Sequence, residues 1–364
     1  MQGATEQRTA IQQQKTGISI RAIIGDLSAL WVVLAALLLG GLLMLVAGHN
    51  PVEAYIALLQ GALGQTGRIG ETLVKMIPLV LMGLAISIAF KSSYWNIGGE
   101  GQFIAGAVLA TWVALSFSAL TVPLLAVLCF LAAFIGGAFW SGIAGLMKIR
   151  FNVNEVISTL MLNYVALYGL MYLIRGPMRD RTSEAFTGMV FPQSALIPDA
   201  LFLPGLLSRT RLHAGIFLAI ILLAVVWLLW KSRVGFSIEV VGANKDAAEY
   251  AGIKVNRVML LVALLSGGIA GLVGWNEIFG IHHRLLDAVT AGYGFLGIIV
   301  ALLGGLNPWG VLASSFLFSV LIVGGNAMER ATGVPFSIVE VINGLVILFL
   351  LMRIALKKSI RGQR

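Results

Sequence analysis

The stretch from Lys231 to Arg257, KSRVGFSIEVVGANKDAAEYAGIKVNR, decides the fold, because it is a polar, net-positive island between two long apolar runs. Within it, Asn244 is placed to cap a short helix over Lys245 to Ala251, its side-chain oxygen accepting from a free N–H of the first turn. Asp246 falls in that first turn, where the helix dipole favours negative charge. Gly252 supplies the residue after the last turn, where left-handed geometry costs little. Ala247, Ala248 and Ala251 keep the helix thin. A thin, capped helix beside a membrane fits a groove of another protein, and points to a transporter subunit driven by a partner. The alternative is an ordinary connecting loop with one helical turn.

Composition sets the class. Hydrophobic residues make up 59% of the chain and charged residues 11%, against roughly 25% charged in soluble domains. Gly occurs 43 times in 364 residues, as close helix packing in lipid requires. The expected fold is an all-α polytopic membrane protein. Apolar runs of spanning length lie near 28–48, 72–90, 103–119, 122–147, 155–174, 212–230, 257–279, 293–306, 308–325 and 336–353. That gives about ten transmembrane helices, the eighth short enough to re-enter rather than cross. A tail over 1–27, one membrane domain over 28–353 and a basic tail over 354–364 complete the division. The first apolar run is too long and too far from the terminus for a cleaved signal peptide.

Sixteen of the 25 basic residues fall on one face of this arrangement, including the 231–257 island and both tails. The positive-inside rule places that face, with both termini, in the cytoplasm. The net charge of +9 follows from this bias and from anionic lipid headgroups, so it is no sign of nucleic acid. The long 175–211 segment on the outer face carries four of the nine prolines and is expected to pack as a cap or docking surface.

Several chemistries are excluded. There is no G-x-x-x-x-G-K-[ST] phosphate loop, so the chain does not hydrolyse ATP itself. The Gly-rich stretch GALGQTGRIG (61–70) lacks the Lys-Ser/Thr pair and reads as a loop. His282 and His283 are adjacent and read as a surface pair; with only His49 and His213 besides them, no metal site is expected. Neither G-x-S-x-G nor H-E-x-x-H occurs. The single Cys129 allows no internal disulfide and reads as a small buried hydrophobe.

Polar groups in or beside the spans are candidates for a substrate path, since each is costly in lipid. Asn96, Glu100 and Gln102 sit in YWNIGGEGQF (94–103), whose glycines suit either a broken helix at membrane depth or a cytoplasmic turn. Glu155, Thr159 and Asn163 are spaced i, i+4, i+8 and share one face of the fifth span, toward a pathway or another helix. Trp275, Asn276 and Glu277 lie near the outer end of span seven, and Glu340 and Asn343 in span ten. Lys75 is free to pair with one of these carboxylates. Gly267 and Gly271 form a small-xxx-small pair, and the similar texts SGIAGLM (141–147) and SGGIAGLVG (266–274) suggest a two-half pseudo-repeat.

Four segments, YWNIGGEGQF (94–103), NEVISTLMLNYVAL (154–167), VVGANKDAAEYAGI (240–253) and GYGFLGIIVALLGGLNPWG (292–310), carry a family resemblance. The chain resembles the permease subunits of ATP-binding-cassette importers of the branched-chain amino acid and simple-sugar superfamily, and within it the nucleoside-type permeases. Relatives more often show Ala where Gly99 stands. The resemblance implies a second permease subunit, as heterodimer or homodimer, a separate ABC ATPase that holds ATP and Mg, an outer substrate-binding protein, and the bacterial cytoplasmic membrane. It implies no cofactor in this chain, and it makes the chain a transport subunit rather than an enzyme. It places the ATPase-coupling element at Gly242, Ala243, Asn244, Lys245, Asp246, Ala247, Ala248, Glu249, Tyr250, Ala251 and Gly252. Nucleosides are the implied cargo, with a ribose-like sugar or a branched-chain amino acid as alternatives. An ion-coupled carrier working alone, using Glu277 and Glu340, is the rival of another class.

Overall fold

The computed structural model describes residues 31–181, 192–207 and 210–362. The tail over 1–27 lies outside the described residues, as do the first residues of the run at 28–48 and part of the 175–211 segment. Among the described residues the regular structure is helical, with no strand beyond isolated bridges such as Gln193 to Leu286. In chain order the helices are α1 (Trp31–Val46), α2 (Pro51–Leu63), α3 (Thr66–Lys91), α4 (Gly99–Ser116), α5 (Val122–Phe151) and α6 (Glu155–Arg175). After the outer segment come α7 (Gly215–Lys231), α8 (Arg233–Ala243), α9 (Lys245–Tyr250), α10 (Val255–Glu277), α11 (Tyr293–Leu303), α12 (Pro308–Thr332) and α13 (Ser337–Gly362). A π-helical turn, Ile278–His282, extends α10.

Among the described residues, five helices are long and apolar enough to cross a membrane: α3, α5, α6, α10 with its π turn, and α12. A sixth follows if α7 and α8, bent by 71° at Ser232, count as one. This is fewer than the ten apolar runs. The run at 293–306 forms an 11-residue helix only about 16 Å long, against a hydrocarbon core of ~30 Å. α4 has 18 residues but spends its first turn on Glu100 and Gln102. Residues 61–70 are a further departure: only Gly64 and Gln65 interrupt the helices there. The glycines serve packing rather than turning, since a Cβ on Gly61 would stand 2.1 Å from the Ala327 Cβ and one on Gly70 2.9 Å from Thr210.

The chain divides into two compact units, residues 62–323 and residues 1–61 with 324–364. In the first, α3 is buried without interruption from Ile77 to Phe90. A helix apolar on every side needs partners all round, and α7, α10 and α11 supply them. Beside it α4, α5 and α10 meet at backbone distance. A Cβ on Gly271 would fall 2.2 Å from the Ala133 carbonyl oxygen, and one on Gly106 would fall 2.4 Å from the Gly271 Cα. The similar texts around 141–147 and 266–274 face each other there, with Ser141 against Gly267. In the second unit, Gly40 of α1 packs on Ile342 of α13, and Gly324 on Leu58 of α2.

The described part of the 175–211 segment lies along the chain that follows α10. Ser194, Ile197 and Leu203 donate their backbone N–H to the carbonyls of Leu285, His283 and Phe279.

Candidate functional site

α3 ends at Lys91, and Ser92 to Gly98 run without helix before α4 begins. The buried part of this non-helical backbone must find hydrogen bonds inside the protein, and Asn96 together with Thr159 and Asn163 of α6 provides them. Asn96 and Gln102 form a reciprocal amide pair, Asn96 Nδ2 to Gln102 Oε1 at 3.0 Å and Gln102 Nε2 to Asn96 Oδ1 at 2.8 Å. Asn96 also accepts from Gly98 N at 2.9 Å and donates to Ser266 Oγ of α10 at 3.0 Å. From α6, Thr159 Oγ1 accepts from Ile97 N at 3.1 Å. One turn on, Asn163 Nδ2 donates to Ile97 O at 2.9 Å while its Oδ1 accepts from Gly101 N at 2.8 Å. The i, i+4 spacing therefore faces another segment of the protein. Glu155, the first of the stripe, pairs with Lys148 at 2.9 Å instead. Ser266 is a member of this network that the sequence reading missed, because nothing local marks it.

Glu100 reaches the other way. Its Oε1 accepts from Gly294 N in the first turn of α11 at 2.8 Å, where the free N–H groups favour a carboxylate. Gly99 lies against the same residue, its missing Cβ 3.1 Å from the Gly294 Cα.

A second polar cluster sits at the far end of α10. Trp275 stacks on Phe279 and meets Phe130 edge-on, at centroid distances of 5.6 and 5.3 Å. The Trp275 Nε1 and the Asn276 Oδ1 are buried without a hydrogen-bond partner. Glu277 is buried, with His282 Nε2 at 3.8 Å. Lys75 takes a phenol rather than a carboxylate, donating to Tyr293 Oη at 2.9 Å. The histidine pair is half-buried, not a surface pair, and the His283 ring stacks on Phe202 at 3.7 Å. Nearby, Arg211 grips Glu71 through Nε at 3.1 Å and Nη2 at 2.5 Å, and this bond to the carboxylate raises the guanidinium pKa further. Asn343 is buried in the other unit, with its Oδ1 unpartnered, and Glu340 is exposed.

The surface helix forms as its caps dictate. Asn244 Oδ1 accepts from Ala247 N at 3.0 Å. Gly252 takes φ +79°, and Gly252 N and Ile253 N close on the carbonyls of Glu249 and Ala248, a Schellman ending. Ala248 is buried, while Lys245, Asp246, Ala247, Glu249 and Tyr250 are exposed, Tyr250 at 97%. α8 ties this helix to the end of α3: Glu239 pairs with Lys91, and Ser93 Oγ donates to Gly242 O at 2.8 Å. A Cβ on Gly242 would strike the Lys91 carbonyl oxygen at 1.9 Å. The four segments that carry the resemblance thus converge on Ser93 to Gly101.

The profile of a family described as branched-chain amino acid transport system / permease component matches residues 68–355. The chain belongs to this family. It is an ABC transporter permease and a multi-pass membrane protein, a transport component rather than an enzyme. The permease is 40% identical over 330 residues to the glucose ABC transporter permease protein TsgB13 of Haloferax volcanii, covering 88% of this chain and 85% of that one. It is 36% identical over 337 residues to the guanosine ABC transporter permease protein NupP of Bacillus subtilis, covering 91% and 95%. The nucleoside ABC transporter permease protein NupB of Lactococcus lactis is 35% identical over 323 residues, covering 87% and 88%.

Proposed function

We propose that this permease forms the translocation path of a nucleoside importer in the bacterial cytoplasmic membrane, with both termini and α9 on the cytoplasmic side. Its partners are an ATPase subunit that holds ATP and Mg, a second permease subunit, and an outer substrate-binding protein. Permeases of guanosine and nucleoside systems among its relatives support the cargo. The observation that carries the coupling is the tie between α8 and the broken segment through Lys91, Ser93 and Gly242. A push on α9 by a partner has a short covalent and hydrogen-bonded route to Asn96.

The polar residues divide by role. Asn96, Gln102, Thr159 and Asn163 spend their donors and acceptors on each other, on Ser266 and on backbone. They hold the broken segment in shape. Glu100 and Glu155 anchor it to α11 and α5. Trp275 and Asn276 keep unpartnered polar atoms, which supports a role for them, with Glu277, in meeting a flat base and a ribose hydroxyl. Asn343 Oδ1 is similarly free.

A second cargo, a simple sugar, is favoured by the 40% identity to a glucose permease. Uptake of labelled adenosine, guanosine, glucose and leucine, with and without this chain and with and without vanadate, separates the readings. Chain-dependent, vanadate-sensitive loss of nucleoside uptake alone is expected. Loss of glucose uptake instead would replace the cargo, and uptake that ignores vanadate but collapses with the proton gradient would sink the coupling to an ATPase.

A further inference from the structure

The junction between α7 and α8 is built as a sharp turn at the end of an apolar helix. Ser232 closes α7 by donating Oγ to Leu229 O at 2.8 Å and opens α8 by accepting from Gly235 N at 3.2 Å. Gly235 lets α8 fold back, because a Cβ there would sit 2.1 Å from the Leu229 carbonyl oxygen. The two helices meet at 71°. α7 has 17 residues, about 25 Å of rise, and it ends in an aromatic and basic girdle. Lys231 Nζ lies 3.5 Å over the Trp227 ring, and Lys91 Nζ 4.8 Å over Trp230. Tryptophans and lysines of this kind mark the level of lipid headgroups. A helix that turns by 71° at that level runs close to the membrane plane.

One face of α8 is locked to the protein. Ile238 and Val241 are buried, and Gly242 lies on the Lys91 carbonyl. The opposite face is apolar and uncovered. Phe236, 64% exposed, and Ala243 lie on it at i and i+7, with the half-buried Val240 at i+4 between them. Exposed Lys231 and Arg233 flank its start. Apolar groups on one side and cations at the end of the preceding span are the composition of a helix lying in a headgroup layer.

We propose that α8 is an interfacial helix, with Phe236 and Val240 seated in the acyl boundary of the cytoplasmic leaflet and Lys231 and Arg233 taking anionic headgroups. The lipid surface, through this contact, sets the height at which α9 is presented. Charge decides for lipid over a protein groove, since cytoplasmic leaflets carry anionic headgroups that attract basic residues beside a span. The sidedness, and with it the charge argument for anionic headgroups, rests on the proposed function; the exposed apolar face of α8 beside the Trp and Lys residues does not.

Spin labels test it on the full chain in lipid nanodiscs. Cys129→Ala supplies the background, and single labels go to Phe236→Cys, Val240→Cys and, as an aqueous reference, Lys245→Cys. Labels at 236 and 240 are expected to collide more with oxygen than with a water-soluble nickel chelate, and the label at 245 the reverse. Replacing phosphatidylglycerol by phosphatidylcholine, or combining Lys231→Gln with Arg233→Gln, is expected to shift 236 toward the aqueous reading. If 236 and 240 match 245, the helix faces water and the proposal falls. If both are shielded from both agents, a protein surface covers them and the proposal also falls. A membrane-impermeant maleimide applied to intact cells against Lys245→Cys reports the sidedness separately. Labelling from outside would overturn the cytoplasmic placement while leaving the collision result intact.

Discussion

Asn163 and Gly101 lie 62 residues apart, yet the Asn163 side chain accepts the Gly101 N–H at 2.8 Å while donating to Ile97 O at 2.9 Å. One amide from α6 thus brackets the entry into α4. The same α6 face supplies Thr159 to Ile97 N, so α6 holds the broken segment alongside its own turns.

Asn163→Ala leaves the buried Gly101 N–H and the part-buried Ile97 carbonyl unpaired. At ~1–3 kcal/mol for each orphaned group, a loss of about 2–6 kcal/mol is expected, read as a fall in the thermal midpoint of the detergent-purified chain. An unchanged midpoint would show that the segment is held elsewhere. Asn163→Asp keeps the acceptor for Gly101 and loses the donor to Ile97, so an intermediate midpoint is the expected outcome.

Gly271→Ala forces a methyl to within 2.2 Å of the Ala133 carbonyl oxygen, which belongs to the backbone and cannot rotate away. The helices must part, at a cost of ~1–3 kcal/mol or more, and expression as a monodisperse species should drop. Gly169→Ala on α6 is the control: nothing stands within 4 Å of its Cβ position, and helix propensity favours Ala by ~1 kcal/mol. That variant should express at least as well as the parent, as judged by size exclusion.

Asn244→Ala removes the cap on Ala247 N, worth about 1 kcal/mol. α9 is short enough for that to fray it. With the proposed ATPase present, vanadate-sensitive transport should fall while the amount of folded chain stays level. Asn244→Asp restores an acceptor at the same place, and should recover transport. Equal loss in both variants would point to side-chain chemistry of Asn244 rather than to its cap.

His283 gives a pH dependence. Burial lowers its pKa, opposed by the nearby Asp199 carboxylate. The folded chain therefore binds fewer protons than the unfolded chain, and stability rises with pH through this window. The His283 contribution is fully present above about 6.5, the ordinary histidine value, and is lost as pH falls below it. Thermal midpoints of the parent should decline from pH 7.5 to 5.5, and His283→Gln should flatten part of that decline. A parallel slope in the variant would assign the dependence to other groups.

The caps of α9 were legible because capping is local. Asn244 and Ala247 are three residues apart, and Gly252 needs only its own φ. The stripe of Thr159 and Asn163 was equally legible as a face, since the α-helical period fixes it. What that face meets was not. The loop reading of 61–70 failed because it took glycine as a breaker, where close packing on Ala327 and Thr210 is what excludes a side chain. Lys75 could pair with a carboxylate as far as the sequence goes; it donates to Tyr293, 218 residues on, a pairing that no local pattern marks.

The sequence by itself determined the membrane class, the polar island, its capped helix and the four segments that mark the family, because composition, helical period and capping act within a few residues. Only the tertiary structure decided that those segments meet at Ser93 to Gly101. Asn96 finds Ser266 across 170 residues and Glu100 finds Gly294 across 194. Such contacts depend on how closely α4, α5 and α10 approach, and that is set by the mutual fit of backbones at Gly106, Gly137 and Gly271.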